Sequence, residues 1–502
     1  MSVLLFLLSI GALYYLCLET SRVAWRRVVL SASLLTAVAI SVGLQGWRWP
    51  PAVLWIWAVG LGWCLWRQLR SVEQPPSRRR GRWSFAGGLV VSYFALNLAH
   101  LTLPSVELPA LTGPYPVARH QWLVQSSRQD VHNPDPFAHR SFSVAVYYPT
   151  LVGIQMGRVN YWSAEMLGTG PLQPLSSLAK LLFESEASRL RTQSWEGLGS
   201  GLSPAQNKYP VVIFSPGLGM RADMHTFYLE QLASHGYAVF AITHPGQDQL
   251  ERGWSSQSLT EDRASWKRRE SSYEAASWSL NKSLDAGETP TDKQLHDVME
   301  FNATSRDYPL SVRKDDVVEL LDRLQSLSNG SPASQFAARL DMSKVAVTGM
   351  SYGGPTASEV CLQDARCKVA VNMDGEEYGT LPLTSGTQPA LWLYRLERWP
   401  GTPLRRIAFL RYAGPAYRVG FDGARHNTFT DQPFWPPALT ALGVVLPLWL
   451  IDSKPNVERA LTGAIFEYQL DFLDHYLKGS DLKLLNGTQT RDRAVLDSRN
   501  LQ

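Results

Sequence analysis

The stretch that most constrains this chain is Lys344-Val345-Ala346-Val347-Thr348-Gly349-Met350-Ser351-Tyr352-Gly353-Gly354. Residues 344–348 predict a buried strand and residues 354–362 a helix, so the G-x-S-x-G between them lies at a strand-to-helix turn. A serine at such a turn is raised above the sheet, and Gly349 and Gly353 leave space for a backbone approach that a side chain would block. Outside that context the same five residues would be only a glycine-rich turn.

The surrounding pattern fits one architecture. Short apolar runs at residues 211–215, 236–243, 368–373, 390–394 and 416–421 alternate with helical periodicity at 224–235, 312–327 and 456–477. Residues 141–148 alternate as a β-rich opening strand. Apolar strands alternating with helices imply a mostly parallel sheet covered on both faces, a three-layer α/β sandwich. Residues 150–208 show no clean period. Residues 247–307 are polar, with Trp254, Trp266, Tyr273 and Trp278 among charges, and read as an insertion over the sheet. It is expected to act either as a lid or as a surface excursion whose helices are packed by the tryptophans.

A serine hydroxyl needs a base to become a nucleophile. After Ser351 the chain offers only His426 and His475. His475 falls within the terminal amphipathic helix, where capping or solvation explains it, whereas His426 lies in a loop after the last predicted strand. The imidazole in turn needs a carboxylate to fix its tautomer. Asp374, at the end of the strand after the elbow, and Glu397, after the following one, are the two candidates, and Asp422 suits a turn. Two amides are required for a developing oxyanion. Tyr352 follows the nucleophile, and the loop Phe214-Ser215-Pro216-Gly217-Leu218-Gly219 offers Leu218, with Gly219 as the alternative.

Composition matters most at the N-terminus. Residues 2–18, 28–47, 51–66 and 84–103 are four apolar runs without a charged residue. At about 1.5 Å per residue, runs of roughly 16 to 20 residues approach the thickness of a bilayer. Residues 1–83 carry ten arginines against Glu19 and Glu73, and nine of the arginines lie in the two segments after the first and third runs. These segments are expected to stay cytoplasmic, leaving the large domain facing the periplasm or cell exterior. The formal charge of +4 hides this asymmetry, since the remainder holds 38 basic and 42 acidic residues. Nothing in that balance suggests nucleic acid. The expected organisation is an all-α transmembrane anchor of about four helices at 1–103, a linker and lead-in segment at 104–140, and a catalytic domain at 141–502.

Cys17 and Cys64 lie in the apolar runs. Cys361 and Cys367, six apart, would close a short disulfide in an oxidising compartment if their geometry allows it. No cysteine spacing suggests a metal site, and no cofactor is expected.

Several segments resemble, in order, the plasma and type II platelet-activating factor acetylhydrolase family. They are Gly113-Pro114-Tyr115-Pro116-Val117, residues 143–149, the 214–219 loop with Leu232-Ala233-Ser234-His235-Gly236-Tyr237, residues 313–324, the elbow, and the segments around Asp374 and His426. The resemblance covers about residues 110–480. It implies a serine α/β-hydrolase that acts on short or oxidised acyl chains of phospholipids, and it favours Asp374 over Glu397 as the acid. Related polyester and dienelactone-type hydrolases share much of the pattern. This chain departs from the family in having Pro216 where a histidine usually precedes G-L-G, in its apolar runs and in its long insertion. The expected partners are an ester substrate of lipid character and the bilayer. A catalytically silent binding or sensing protein on the same scaffold is the rival expectation.

Overall fold

A computed structural model describes residues 108–130, 135, 137–151, 158–161, 191–197, 202–245, 263–303, 310–329, 336–396, 403–434 and 455–501. The four apolar runs and Glu397 lie outside them, as does a further apolar run of the sequence at 436–451, expected either to lie in a membrane interface or to form a core helix. Among the described residues no helix is long and apolar enough to cross a membrane. The described residues fall in one compact unit.

The centre of the sheet is made by the strands built on the short apolar runs, with a few polar residues such as Lys344, Lys368 and Arg418 among them. β5 (Tyr209–Ser215), β6 (Ala238–Thr243), β7 (Leu340–Met350), β8 (Cys367–Met373), β9 (Ala390–Arg395) and β10 (Ala416–Phe421) are parallel neighbours in the order β10-β9-β8-β7-β5-β6. β5 and β6 are buried on both faces, as a sheet covered by helices on each side requires. Antiparallel β2 (His139–Pro149) and β1 (Val117–Gln129) extend one side, followed by β4 (Arg191–Glu196) and β3 (Arg158–Asn160). Antiparallel β11 (Ala494–Arg499) closes the other. The sheet is therefore mostly parallel, with antiparallel pairs at its margins except where β1 and β4 run parallel.

The span expected as linker and lead-in contains β1, a 13-residue strand paired along β2. Its sequence is half polar because one face is solvated, so it lacks the continuous apolar run that marks the central strands. β3 and β4 lie within the stretch where no period was legible.

Helices cover both faces. α1 (Thr226–Ser234) follows a 3-10 turn at Ala222–His225. α2 (Arg263–Asp285) and α3 (Asp292–Ala303) come from the insertion, and α4 (Leu310–Asn329) precedes β7. α5 (Gly353–Gln363) leaves the elbow, α6 (Pro403–Arg411) follows β9, and α7 (Pro455–Lys478) precedes β11. Leu320, Leu321 and Leu324 of α4, Val360 of α5 and Phe409 of α6 share a core with Val211, Ile213, Val345, Val347 and Trp392. On the opposite face, Phe472 and Tyr468 of α7 meet Tyr417 and Phe421 edge-on. These are the three expected layers.

The described helices of the insertion pack onto α6. Leu280, Leu295 and Val298 pack with Leu404 and Ile407 of α6, and Tyr273 and Tyr378 lie against this cluster. Trp278 is instead exposed, because it sits on the polar side of α2; Trp254 and Trp266 lie where no side chain is described. Cys361 and Cys367 are joined as a disulfide from α5 to the start of β8.

Candidate active site

β7 ends in the middle of the sheet, between β5 and β8, and its last residue leads straight into Ser351. Ser351 has φ +53°, a left-handed backbone that costs energy for a residue with a Cβ and is held here by the turn into α5. The flanking glycines are a steric necessity. A Cβ on Gly349 would lie 2.0 Å from the Gly353 carbonyl oxygen, and one on Gly353 would lie 1.9 Å from that of Ser215. The elbow therefore closes only with both positions bare.

The structure brings Ser351, His426 and Asp374 together from positions 75 and 52 residues apart. His426 Nε2 lies 2.9 Å from Ser351 Oγ, and its Nδ1 lies 2.6 Å from Asp374 Oδ2. The imidazole sits on a 3-10 turn, His426–Phe429, just after β10. That loop is fixed from two sides: the Thr428 carbonyl accepts from Tyr228 and Thr462, and the Asp431 N–H donates to the Met224 carbonyl. Ser351 and His426 are half-buried, which leaves the hydroxyl reachable at the sheet's carboxyl edge.

Asp374 is buried and carries its own left-handed backbone, φ +55°. Burial pushes its carboxyl up, but the hydrogen bond and charge of His426, with Arg395 and Arg405 beyond, bring it below the usual carboxylate value. Arg395 Nε lies 3.4 Å and Arg405 Nη1 3.7 Å from its oxygens. An ionised acid is what a neutral imidazole with hydrogen on Nδ1 requires.

The Asp374 loop is anchored by residues that sequence reasoning passed over. Glu377 is buried and accepts from Ser358 Oγ at 2.8 Å and from Asn372 Nδ2 and Trp392 Nε1 at 2.7 Å each. Asn372 Oδ1 accepts from the Gly375 N–H at 2.8 Å. The signal for this anchor was an acidic pair, Glu376 and Glu377, directly after a buried strand.

Tyr352 is buried at the first turn of α5, and Leu218 is half-buried on the tip of the loop after β5. Gly217 comes so close to the elbow serine that a Cβ there would lie 3.2 Å from Ser351 Cβ. The loop and the elbow thus share one space, as two converging amide donors require. Of the other sequence candidates, His475 bonds through Nδ1 to the Ser480 carbonyl at the end of α7, and Asp422 is exposed on a turn. Glu397 lies outside the described residues. Among those residues, no group of three or more His, Cys, Asp or Glu side chains is arranged to hold a metal ion.

This geometry can be set beside known proteins. The family model described as platelet-activating factor acetylhydrolase, isoform II, matches residues 101–446. The platelet-activating factor acetylhydrolase of Bos taurus is 24% identical over 323 residues, which cover 58% of this chain and 66% of that one. The protein of the same name from Canis lupus familiaris is 26% identical over 310 residues, 56% of this chain and 63% of that one. That from Cavia porcellus is 27% identical over 289 residues, 54% and 58% respectively. The chain thus spans somewhat under two thirds of the length of these relatives. A solved ferulic acid esterase from Streptomyces cinnamoneus aligns with a TM-score of 0.52 at 21% identity, covering 78% of this chain and 98% of the other. That likeness is one of fold.

Proposed function

Because this chain belongs to the platelet-activating factor acetylhydrolase, isoform II, family, we propose that it hydrolyses carboxylic esters through an acyl-enzyme on Ser351. The observation that carries the reading is the imidazole of His426, 2.9 Å from Ser351 Oγ on one side and 2.6 Å from Asp374 on the other. In this mechanism His426 Nε2 takes the hydroxyl proton as Oγ attacks the ester carbonyl. The proton then passes to the leaving alkoxide, and water repeats the sequence to release the acid. Asp374 keeps the Nδ1–H tautomer and offsets the imidazolium charge. The Leu218 and Tyr352 amides take the negative charge that forms on the carbonyl oxygen.

The substrate class is a short-chain or lipid ester. The names of the curated relatives, which specify acetyl hydrolysis from platelet-activating factor, support it. A membrane anchor suits the same substrate. The four uncharged runs within residues 1–103 span the bilayer in this reading, with the arginine-rich segments cytoplasmic and the domain at 141–502 facing the periplasm or exterior. Protease added to intact cells or spheroplasts should then degrade the large domain, and complete protection would refute that topology.

The function itself is tested with a fluorophosphonate, which labels only an activated serine. Wild type should be labelled and should release p-nitrophenol from its acetate, and both properties should vanish in Ser351→Ala while the thermal unfolding curve is kept. A well-folded wild type that is neither labelled nor active would leave a binding or sensing protein on a hydrolase scaffold.

A further inference from the structure

Helix α4 grips the loop after β5 at two successive residues and, through His244, the last residue of β5. Arg313, 1% exposed, donates from Nη1 to the Pro216 carbonyl at 2.5 Å and from Nη2 to the Gly217 carbonyl at 3.2 Å. Its guanidinium also lies over the Tyr352 ring, 5.3 Å from the centroid. One turn further along α4, Asp316 Oδ2 meets His244 Nδ1 at 2.8 Å, and His244 Nε2 lies 3.0 Å from Ser215 Oγ. This second Ser-His-Asp string is wholly buried, so it serves as a mount rather than a reaction centre. Arg140 binds both Asp316 oxygens at 2.7 Å, and Arg128 binds one of them at 2.7 Å, which locks that end of the helix in place.

We propose that Arg313 is a positioning residue for the oxyanion site, and the proposal rests on the reading of Ser351 as nucleophile. In a trans peptide the C=O and N–H point in opposite directions. Holding the Gly217 carbonyl therefore aims the Leu218 N–H away from Arg313. The turn itself does not use that hydrogen: the Met220 N–H donates to the Gly217 carbonyl at 3.1 Å, and Gly219 has φ +72°. This is a type II turn with Leu218 at its second position and Gly219 at the third, where positive φ is needed. The turn thus assigns the two glycines different duties. Gly217 admits the close contact with Ser351, and Gly219 permits the turn. A cation on the two carbonyls also polarises the peptides behind them, which makes the Leu218 amide a stronger donor toward negative charge.

The test uses the full-length protein and compares wild type, Ser351→Ala, Arg313→Lys, Arg313→Gln and Arg313→Ala. Two readouts are the hydrolysis of p-nitrophenyl acetate and inhibition by an aryl trifluoromethyl ketone, which forms an oxyanionic adduct with the serine. For Arg313→Gln, kcat should fall by about 100-fold with KM within about threefold of wild type, and the ketone should weaken in proportion to kcat/KM. Millimolar guanidinium should restore part of the kcat of Arg313→Ala. A folded Arg313→Gln that keeps kcat within about threefold, or loses kcat without weakening the ketone, would overturn the assignment. So would the unfolding of Arg313→Lys, which keeps charge and length and would mark Arg313 as a scaffold residue. An inactive wild type, or an active Ser351→Ala, would instead sink the ester-hydrolase reading beneath it.

Discussion

The backbone N–H of Ser351 donates to the carbonyl of Met373 at 2.8 Å, so the residue bearing the hydroxyl is tied to the one directly before Asp374. Asp374 N–H in turn donates to the Leu393 carbonyl at 2.7 Å. The ends of β7, β8 and β9 are thereby laced together above the sheet. Both Ser351 and Asp374 hold left-handed φ values within this lacing, and the acid cannot drift from the elbow without breaking it.

Asp374→Asn is the cleanest probe of the acid. Asparagine tolerates left-handed φ, so the loop should keep its shape while the charge is lost. The amide would favour the wrong imidazole tautomer, and kcat for a short ester should fall by about 10⁴-fold. A loss of less than about tenfold would move the role to another carboxylate, with Glu397 the first to replace by Gln.

Two glycines of the site should respond in opposite ways. In Gly353→Ala the new Cβ would meet the Ser215 carbonyl oxygen at 1.9 Å and its carbon at 2.6 Å. Backbone must move, and we expect a loss of about 1–3 kcal/mol or more in denaturant unfolding. In Gly217→Ala the nearest atoms are the Met220 sulfur at 2.9 Å and Ser351 Cβ at 3.2 Å. The flexible thioether can yield, so stability should change by less than about 1 kcal/mol. Displacement of the Leu218 amide should nevertheless cut kcat by about tenfold or more. Equal stability losses in the two variants would contradict this.

Asp431 gives the stability a pH signature. Burial pushes its carboxyl up to about 8, despite hydrogen bonds from the Phe227 N–H at 2.9 Å and the Tyr161 hydroxyl at 2.8 Å. The unfolded chain releases this proton near 3.8, so the folded chain alone holds it between the two values. The stabilisation is full below about 4 and is lost as pH rises toward about 8. Asp431→Asn abolishes that titration. Its stability relative to wild type should therefore improve steadily from about pH 5 to about pH 8 in urea unfolding, and a flat difference would show that the shift is absent.

The elements legible in the sequence were those whose burial is written as a local period. The predicted strand at 416–421 has the same bounds as β10, and residues 456–477 lie within α7. The elbow could be read because strand, turn and helix are contiguous, and His426 because few histidines follow Ser351. β1, β3, β4 and β11 escaped because a margin strand with one solvated face resembles a polar loop. Arg313 and Asp316 escaped for a related reason: on α4 they occupy the buried face with Val317, Leu320, Leu321 and Leu324, yet charge in a helix ordinarily signals solvent. What the sequence determined by itself was the strand-to-helix turn that carries Ser351 and the few histidines and carboxylates that follow it. The strand order, the meeting of residues 52 and 75 positions apart and the grip of α4 on the loop after β5 were decided only by the tertiary structure. Periodicity reports which face of an element is buried, whereas partners across the core are chosen by packing and hydrogen-bond satisfaction over the whole chain.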